Sequence, residues 1–412
     1  MSDSSSSNVG SVPDSWLSDN MWVADTFNET RLILANTISE IVSSFQASHD
    51  SMVPFEASTG FSFSPAGLLL PYHLGVACYL QEVGVLTNEV PIAGASAGAL
   101  CTVLAGCGMD LASVGMYAIY EVERNIEKLG AAGRLIDVLR NQFKDLIEDE
   151  HIAAYNDRPA PATVSYTSIL PYPRGRFVSR FKNEEDLLDC LCASCNIPFY
   201  FASWPTVRCR GRAAVDGYFA VPRKYFGCPP TGATKDIFVL PFPATRVKLK
   251  HAVGDAISPD LSKCDQSLTQ QEVDDFNSYL SRKPCPTHEQ LKELLQRPHH
   301  ESAHCEDGDQ FPGSSSRIMN YLAPLEHPLL TMTDEGADQQ DRSELANPNL
   351  PTMALTISEL LKCALDFAED STVRHLFDVG RADAFRWYRL QLPPIPKEQI
   401  FESMEELYQT LY

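Results

Sequence analysis

Ser96 lies between Gly94 and Gly98 in a Gly-x-Ser-x-Gly pentapeptide. The pentapeptide joins an apolar strand candidate, Val90–Ala93, to a small-residue helix candidate that runs to about Gly106. A serine on such a tight strand-to-helix turn projects its hydroxyl from the tip, which is the posture of a nucleophile. A Cβ at either glycine would collide with the neighbouring strand or helix in so tight a turn. The N–H groups opening the following helix point to where an oxyanion would develop. An ordinary Gly/Ala/Ser-rich helix start matches the same pattern, so the reading depends on partners elsewhere in the chain.

A serine nucleophile needs a base, and chemistry at an acyl carbonyl needs an oxyanion hole. The first candidate segment is Ser62-Phe63-Ser64-Pro65-Ala66-Gly67-Leu68-Leu69-Leu70-Pro71-Tyr72-His73-Leu74-Gly75-Val76, about 30 residues before the elbow. Gly67 permits close backbone approach there, so the N–H groups of Ala66, Gly67 and Leu68 can converge on an anion. An ordinary β-turn-α connection reads the same way. The second segment is Ala214-Val215-Asp216-Gly217-Tyr218, an aspartate at the exposed end of a strand candidate. Asp-Gly is also a common turn.

The elements that must position these residues follow from periodicity. From Phe61 to about Phe242 candidate strands and helices alternate, the mark of a layered α/β fold. Phe61–Phe63 reads as a strand and Pro71–Gly84 as an apolar helix; residues 111–155 read as helices with charged faces. Thr163–Leu170 and Arg176–Phe181 alternate like a hairpin. Asn183–Cys195 reads as a helix with three acidic residues in its first turn, and Ala213–Asp216 and Asp236–Phe242 read as strands. This predicts a catalytic domain over residues 56–253.

Ahead of it, residues 1–55 form a Ser-rich leader, with helical apolar spacing at Phe27, Leu32, Leu34, Ile38, Ile41 and Phe45. Residues 254–350 are polar and acidic and read as a solvated, partly disordered insertion, with one helical island near Glu289–Leu295. Residues 351–412 read as a C-terminal helical segment packing on the core, from the spacing of Leu355, Ile357, Leu360, Leu361, Ala364, Leu365 and Phe367.

The 412 residues can bury a large core, and 44% hydrophobic with 21% charged residues is ordinary globular composition. A formal net charge of −21 argues against nucleic acid as a partner and against simple adhesion to anionic lipid. No apolar run has the length of a membrane span. Met1–Ser15 carries only acidic charges, which predicts neither a secretory signal nor an organelle transit peptide. The twelve cysteines read as reduced. Cys190, Cys192 and Cys195 match no zinc framework, and the histidines at 299, 300 and 304 with Cys305 read as polar composition rather than a chelating site.

Taken together, the three catalytic candidates resemble the patatin-like phospholipases, in motif style the animal triglyceride-lipase and adiponutrin branch. The resemblance covers about residues 59–225. Its blocks are Ser-Phe-Ser-Pro-Ala-Gly with Tyr-His-Leu-Gly-Val-Ala, then Gly-Ala-Ser-Ala-Gly-Ala-Leu, then Ala193-Ser194-Cys195-Asn196-Ile197-Pro198-Phe199, then Arg210-Gly211 to Val215-Asp216-Gly217. Val379-Gly380-Arg381-Ala382-Asp383-Ala384 is similar to the family's late helix.

The resemblance implies a three-layer α/β/α fold with a mostly parallel central sheet. It also implies a Ser-Asp dyad: Ser96 as nucleophile, Asp216 as base, supported by Gly217, with Ala66, Gly67 and Leu68 around the oxyanion and Gly94 and Gly98 shaping the elbow. The implied substrates are acyl esters of glycerolipids, met at a membrane or lipid-droplet surface and cleaved through an acyl-enzyme, with a protein regulator among the partners to be tested. No metal or organic cofactor is implied. The implied setting is intracellular, cytoplasmic or peripheral to membrane or droplet.

Three departures bear on rate and substrate range. Pro65 replaces a glycine and has no N–H to donate, Leu70 brings bulk where a glycine is usual, and Asp-Gly-Tyr stands where Asp-Gly-Gly is usual. They motivate an alternative, a catalytically silent lipid-binding or regulatory protein. A second alternative is an α/β-hydrolase triad in which His251, His327 or His375 follows Ser96 and Asp216. His73 reads as a packing or hydrogen-bonding residue. Arg208, Arg210, Arg212, Arg223 and Lys224 suit lipid head groups or a solvated strand edge equally. Leu68–Leu70 with Phe199, Tyr200, Phe201 and Trp204 suit an acyl-chain cleft or plain core.

Overall fold

Short apolar runs each followed by a helix bring successive strands side by side in parallel, because the chain must return along the helix before it can pair again. In the computed structural model, which describes residues 59–249 apart from Ser203, 255–295 and 346–391, this is how the sheet is built. β1 (Thr59–Phe63) passes into α1 (Leu70–Glu82), and β2 (Ile92–Ala95) passes through Ser96 into α2 (Ala97–Gly106). Helices α3 (Met116–Leu129), α4 (Leu135–Lys144) and α5 (Asp149–Asn156) then lead to β3 (Ala162–Ser168), β4 (Arg174–Val178) and α6 (Glu184–Ser194). β5 (Val207–Cys209), β6 (Arg212–Val215) and β7 (Lys235–Val239) follow. The leader over residues 1–55 lies outside the described residues.

With the short β8 (Ala256–Ile257), the strands form one sheet in the order β5-β6-β3-β2-β1-β7-β8, and β4 is also paired to β3. β3, β2, β1, β7 and β8 run parallel, while β4, β5 and β6 join antiparallel around β3. Helices flank this mostly parallel sheet in a three-layer α/β/α arrangement. β2 begins two residues later than the sequence suggests and so ends directly at Ser96. Pro91 lacks an N–H and stays outside the strand, although its carbonyl accepts from Phe61 N–H at 3.1 Å.

Residues 255–295 depart from the reading of 254–350 as a solvated insertion. β8 extends the sheet, a 3-10 segment (Pro259–Ser267) follows, and α7 (Gln270–Arg282) buries Val273 and Phe276. Phe276 stacks on Phe385 with ring centroids 4.5 Å apart. A two-residue strand and a helix with two buried residues leave little trace in polar composition. The island near Glu289–Leu295 is α8 (His288–Leu295). Residues 296–345, including the histidines at 299, 300 and 304, lie outside the described residues.

α9 (Ile357–Leu365) and α10 (Asp370–Gln391) follow, and α10 packs along α1. A polar network fixes this contact inside the core. Arg386 of α10 bonds Asp265 through Nε at 2.6 Å and Asp383 through Nη1 at 2.9 Å. Tyr72 of α1 donates to Asp383 Oδ2 at 2.8 Å, and Asn347 N–H donates to Asp265 Oδ2 at 2.8 Å. Both side chains of the Arg386–Asp265 pair are 1% exposed. Glu123 of α3, whose pKa burial raises to about 8, accepts the Ala368 N–H at 2.9 Å and holds the link between α9 and α10.

Removing one member of a buried pair strands the other charge in a poor solvent. Arg386→Met should therefore lower unfolding stability by about 3–5 kcal/mol, measured by urea titration. A loss below about 1 kcal/mol would show that water already reaches Asp265.

Candidate active site

β1 and β2 lie side by side in parallel, with Phe63 opposite Gly94, so the loops leaving their C-terminal ends are neighbours. Open α/β sheets bind ligands at such ends. One loop is the Ser64–Leu69 connection, and the other is the Ser96 elbow. Ser96 has φ 54° and ψ −125°, a conformation that a non-glycine residue holds only under constraint.

The constraint is backbone contact. A Cβ on Gly94 would lie 2.0 Å from the Gly98 carbonyl oxygen, and one on Gly98 would lie 2.2 Å from the Phe63 carbonyl oxygen. Both elbow glycines are therefore required for the reason the sequence suggested. The N–H groups of Ala99 and Leu100 donate to the Ser96 carbonyl at 2.8 and 3.2 Å, while those of Ala97 and Gly98 lie ahead of the first helical bond.

Asp216 follows β6, whose pairing to β3 (Thr167 opposite Val215) delivers it above the tip of β2. A Cβ on Gly217 would lie 2.9 Å from that of Ala95, the residue before Ser96. Asp216 is fully buried; its Oδ1 accepts the Tyr218 N–H at 2.8 Å and its Oδ2 has no hydrogen-bond partner. Burial pushes its pKa up to about 7, against the stabilising pull of the Tyr218 N–H and the nearby Ser96 hydroxyl. The hydroxyl thus lies close enough to favour the charged carboxylate, yet no hydrogen bond of regular geometry joins the two. Such pairs commonly tighten only when substrate binds.

The oxyanion candidates divide. Gly67 has φ 57°, and a Cβ there would lie 2.0 Å from the Ala364 carbonyl oxygen of α9. That same carbonyl accepts the Leu68 N–H at 2.9 Å, so Leu68 is not a free donor, contrary to the sequence expectation. The sequence could not show it, because the acceptor lies almost 300 residues further on. Ser64 N–H is spent on Val239, and Pro65 has none. The N–H groups of Ala66 and Gly67 remain without partners among the described residues.

His73 Nε2 donates to the Ser64 carbonyl at 2.9 Å, and burial lowers its pKa to about 4. It is a neutral brace for the loop, as the sequence reading had it. Leu70 opens α1 and is fully buried with Leu68 and Leu69. Pro65 and Tyr218 meet across Gly227, where a Cβ would lie 2.5 Å from Pro65 Cγ and 2.9 Å from Tyr218 Cδ2.

Of the proposed triad histidines, His251 and His327 lie outside the described residues. His375 of α10 has its pKa held by burial below the usual imidazole range, against the opposing influence of nearby Asp378 and the Thr352 backbone. Among the described residues no histidine bonds Asp216. The cysteine group is buried, with Cys190 Sγ 3.5 Å from Cys209 Sγ, and no cluster able to hold a metal occurs among the described residues. Tyr200 and Phe201 are core residues, whereas Phe199 and Trp204 are exposed. Arg210 pairs with Asp186 at 2.8 Å; Arg208, Arg212, Arg223 and Lys224 are exposed.

Sequence reasoning missed the supports beneath the pair. Ser194 Oγ accepts the Ser96 N–H at 2.8 Å, and Thr167 Oγ1 donates to the Asp216 carbonyl at 3.1 Å. Ser194 stands in the Ala-Ser-Cys-Asn-Ile-Pro block, but nothing in that block names its partner.

The chain is similar to the omega-hydroxyceramide transacylase of Mus musculus, 26% identical over 164 residues, and to that of Homo sapiens, 27% identical over 164 residues. These stretches cover 38% of this chain and only 26% and 30% of the relatives, so the chain spans under a third of their length. No helix among the described residues is long and apolar enough to cross a membrane. Residues 62–226, which hold the Ser64–Leu69 loop, Ser96, Asp216 and the strands between them, match the family model of the patatin-like phospholipases.

Proposed function

We propose that the chain is a lipid acyl hydrolase that cleaves acyl esters of glycerolipids through a Ser96–Asp216 dyad. The observation that carries this is the buried Asp216 carboxylate, with one oxygen unpartnered, beside a serine on a strained elbow. Asp216 Oδ2 accepts the Ser96 proton as Ser96 Oγ attacks the acyl carbonyl. The N–H groups of Ala66 and Gly67 hold the oxyanion, and the α2 N-terminus adds its dipole. The alkoxide leaves with the proton from Asp216, and water then releases the acyl group by the same route.

Action at a membrane or lipid-droplet surface and kinship with the triglyceride-lipase and adiponutrin branch belong to the same proposal, resting on motif style. A second outcome for the acyl-enzyme is transfer to an alcohol, favoured by the similarity to relatives named as transacylases. The silent lipid-binding alternative gains from the occupied Leu68 N–H. It predicts no labelling of Ser96 by a fluorophosphonate.

Purified protein offered phospholipid, galactolipid and neutral glyceride should release fatty acid from at least one. Ser96→Ala and Asp216→Asn should each lower the rate by about 10³-fold or more; full activity in either would sink the dyad. Adding a long-chain alcohol separates hydrolysis from acyl transfer by the product formed.

The base must be charged to act, so kcat/KM should rise with pH through about 7 and level off above it. A flat profile between pH 5 and 8 would contradict this assignment. The same shift has a stability sign. An unfolded aspartate titrates near its ordinary 3.8, so the contribution of buried, protonated Asp216 is present below about pH 4 and is lost as pH rises to about 7. Asp216→Asn should therefore melt higher than the parent above pH 7 while being inactive.

A further inference from the structure

We infer that the tripeptide Ser194-Cys195-Asn196 is a clamp that sets the spacing of nucleophile and base, with Ser194 as a positioning residue for Ser96. The inference rests on the reading of Ser96 as nucleophile and adds what holds it in place.

Ser194 is the last residue of α6 and is fully buried. Its hydroxyl accepts the Ser96 N–H at 2.8 Å and donates to the Ser165 carbonyl of β3 at 2.7 Å. One side chain thus joins a helix end, the elbow and the central sheet. Two residues on, the Asn196 carbonyl accepts the Asp216 N–H at 2.9 Å, and Thr167 of β3 holds the Asp216 carbonyl from beneath. Asn196 is itself tied down, through Nδ2, to the Pro205 carbonyl at 3.1 Å. Between them Cys195 is fully buried within the influence of both Ser96 and Asp216, a neutral wedge rather than a charged group.

One tripeptide therefore holds both catalytic candidates by their N–H groups, Ser96 through a side-chain hydroxyl and Asp216 through a backbone carbonyl. Ser96 and Asp216 make no regular hydrogen bond to each other, so their separation is set by these grips and by β3. The Ser96 conformation, φ 54° and ψ −125°, persists only where surrounding bonds over-determine it. Loss of the Ser194 hydroxyl leaves a buried N–H unpaired at the elbow, and the elbow relaxes at the expense of alignment.

The test compares Ser194→Ala, Ser194→Thr, Ser96→Ala and Ser262→Ala, using p-nitrophenyl butyrate turnover, fluorophosphonate labelling rate and thermal unfolding. Ser262 is a buried serine of the 3-10 segment whose hydroxyl bonds the Pro259 carbonyl at 2.9 Å, which makes it a matched structural control. Ser194→Ala should lose about 10- to 100-fold in kcat with KM within about twofold, because small misplacement of a nucleophile costs on this scale. Labelling should slow in parallel, Ser194→Thr should recover most of the loss, and Ser262→Ala should keep kcat.

The clamp is overturned if Ser194→Ala keeps kcat within about twofold of the parent while Ser96→Ala is dead. It is also overturned if kcat falls with melting temperature alike in Ser194→Ala and Ser262→Ala. Full activity in Ser96→Ala would instead bring down the nucleophile reading itself, and the clamp with it.

Discussion

The Phe63 carbonyl oxygen sits where the side chain of residue 98 would be, and the Gly98 carbonyl sits where that of residue 94 would be. This stacking of three backbones is the contact on which the site depends. It presses the start of α2 onto the end of β1, so the Ser64–Leu69 loop leaving β1 runs beside the elbow leaving β2. A single methyl at either glycine would push the layers apart, and no rearrangement of a flexible side chain could absorb it, because the atoms met are backbone. The parallel register, Phe63 opposite Gly94, then brings the two loops level.

Burial supplies the second ingredient. Desolvation places the Asp216 carboxyl near neutrality, where it can take and return a proton, and the core around it bears the energetic penalty of a group that would rather be solvated. Elsewhere the same medium is used for rigidity. The Arg386–Asp265–Asp383–Tyr72 network is nearly sealed from solvent and joins α10 to α1 and to the segment after β8. Asp216 Oδ2 is left without a partner beside the Ser96 elbow, whereas both carboxylates of that network are bonded.

The departures from the patatin-like pattern are coupled in space. Pro65 and Tyr218 come from separate motifs, yet both pack against the bare backbone of Gly227, so the two changes belong to one repacked corner. The Ser64–Leu69 loop itself is shaped by α9, whose Ala364 carbonyl needs Gly67 to lack a side chain and takes up the Leu68 N–H. The shape of this loop is therefore supplied in part from beyond residues 62–226.

The elbow, α2 from Ala97 to Gly106, the β3–β4 hairpin and the Asn183-capped α6 were legible because their signals are local: glycines at fixed offsets, period-two alternation, a cap before an acidic first turn. β5, β8 and α7 were not, since a strand of two or three residues and a helix with two buried residues acquire meaning only from the neighbours that cover them. Ser96, Asp216 and Gly67 could be named as candidates, but each segment alone also reads as an ordinary turn, and their roles came from the resemblance of the ordered blocks taken together. By itself the sequence determined which groups could react and the layered fold that carries them. The tertiary structure alone decided which N–H groups remain free, where Asp216 titrates and what holds Ser96 in its strained turn. Those depend on hydrogen-bond partners and desolvation contributed by Ala364, Ser194 and β3, and distances through space are not written in distances along the chain.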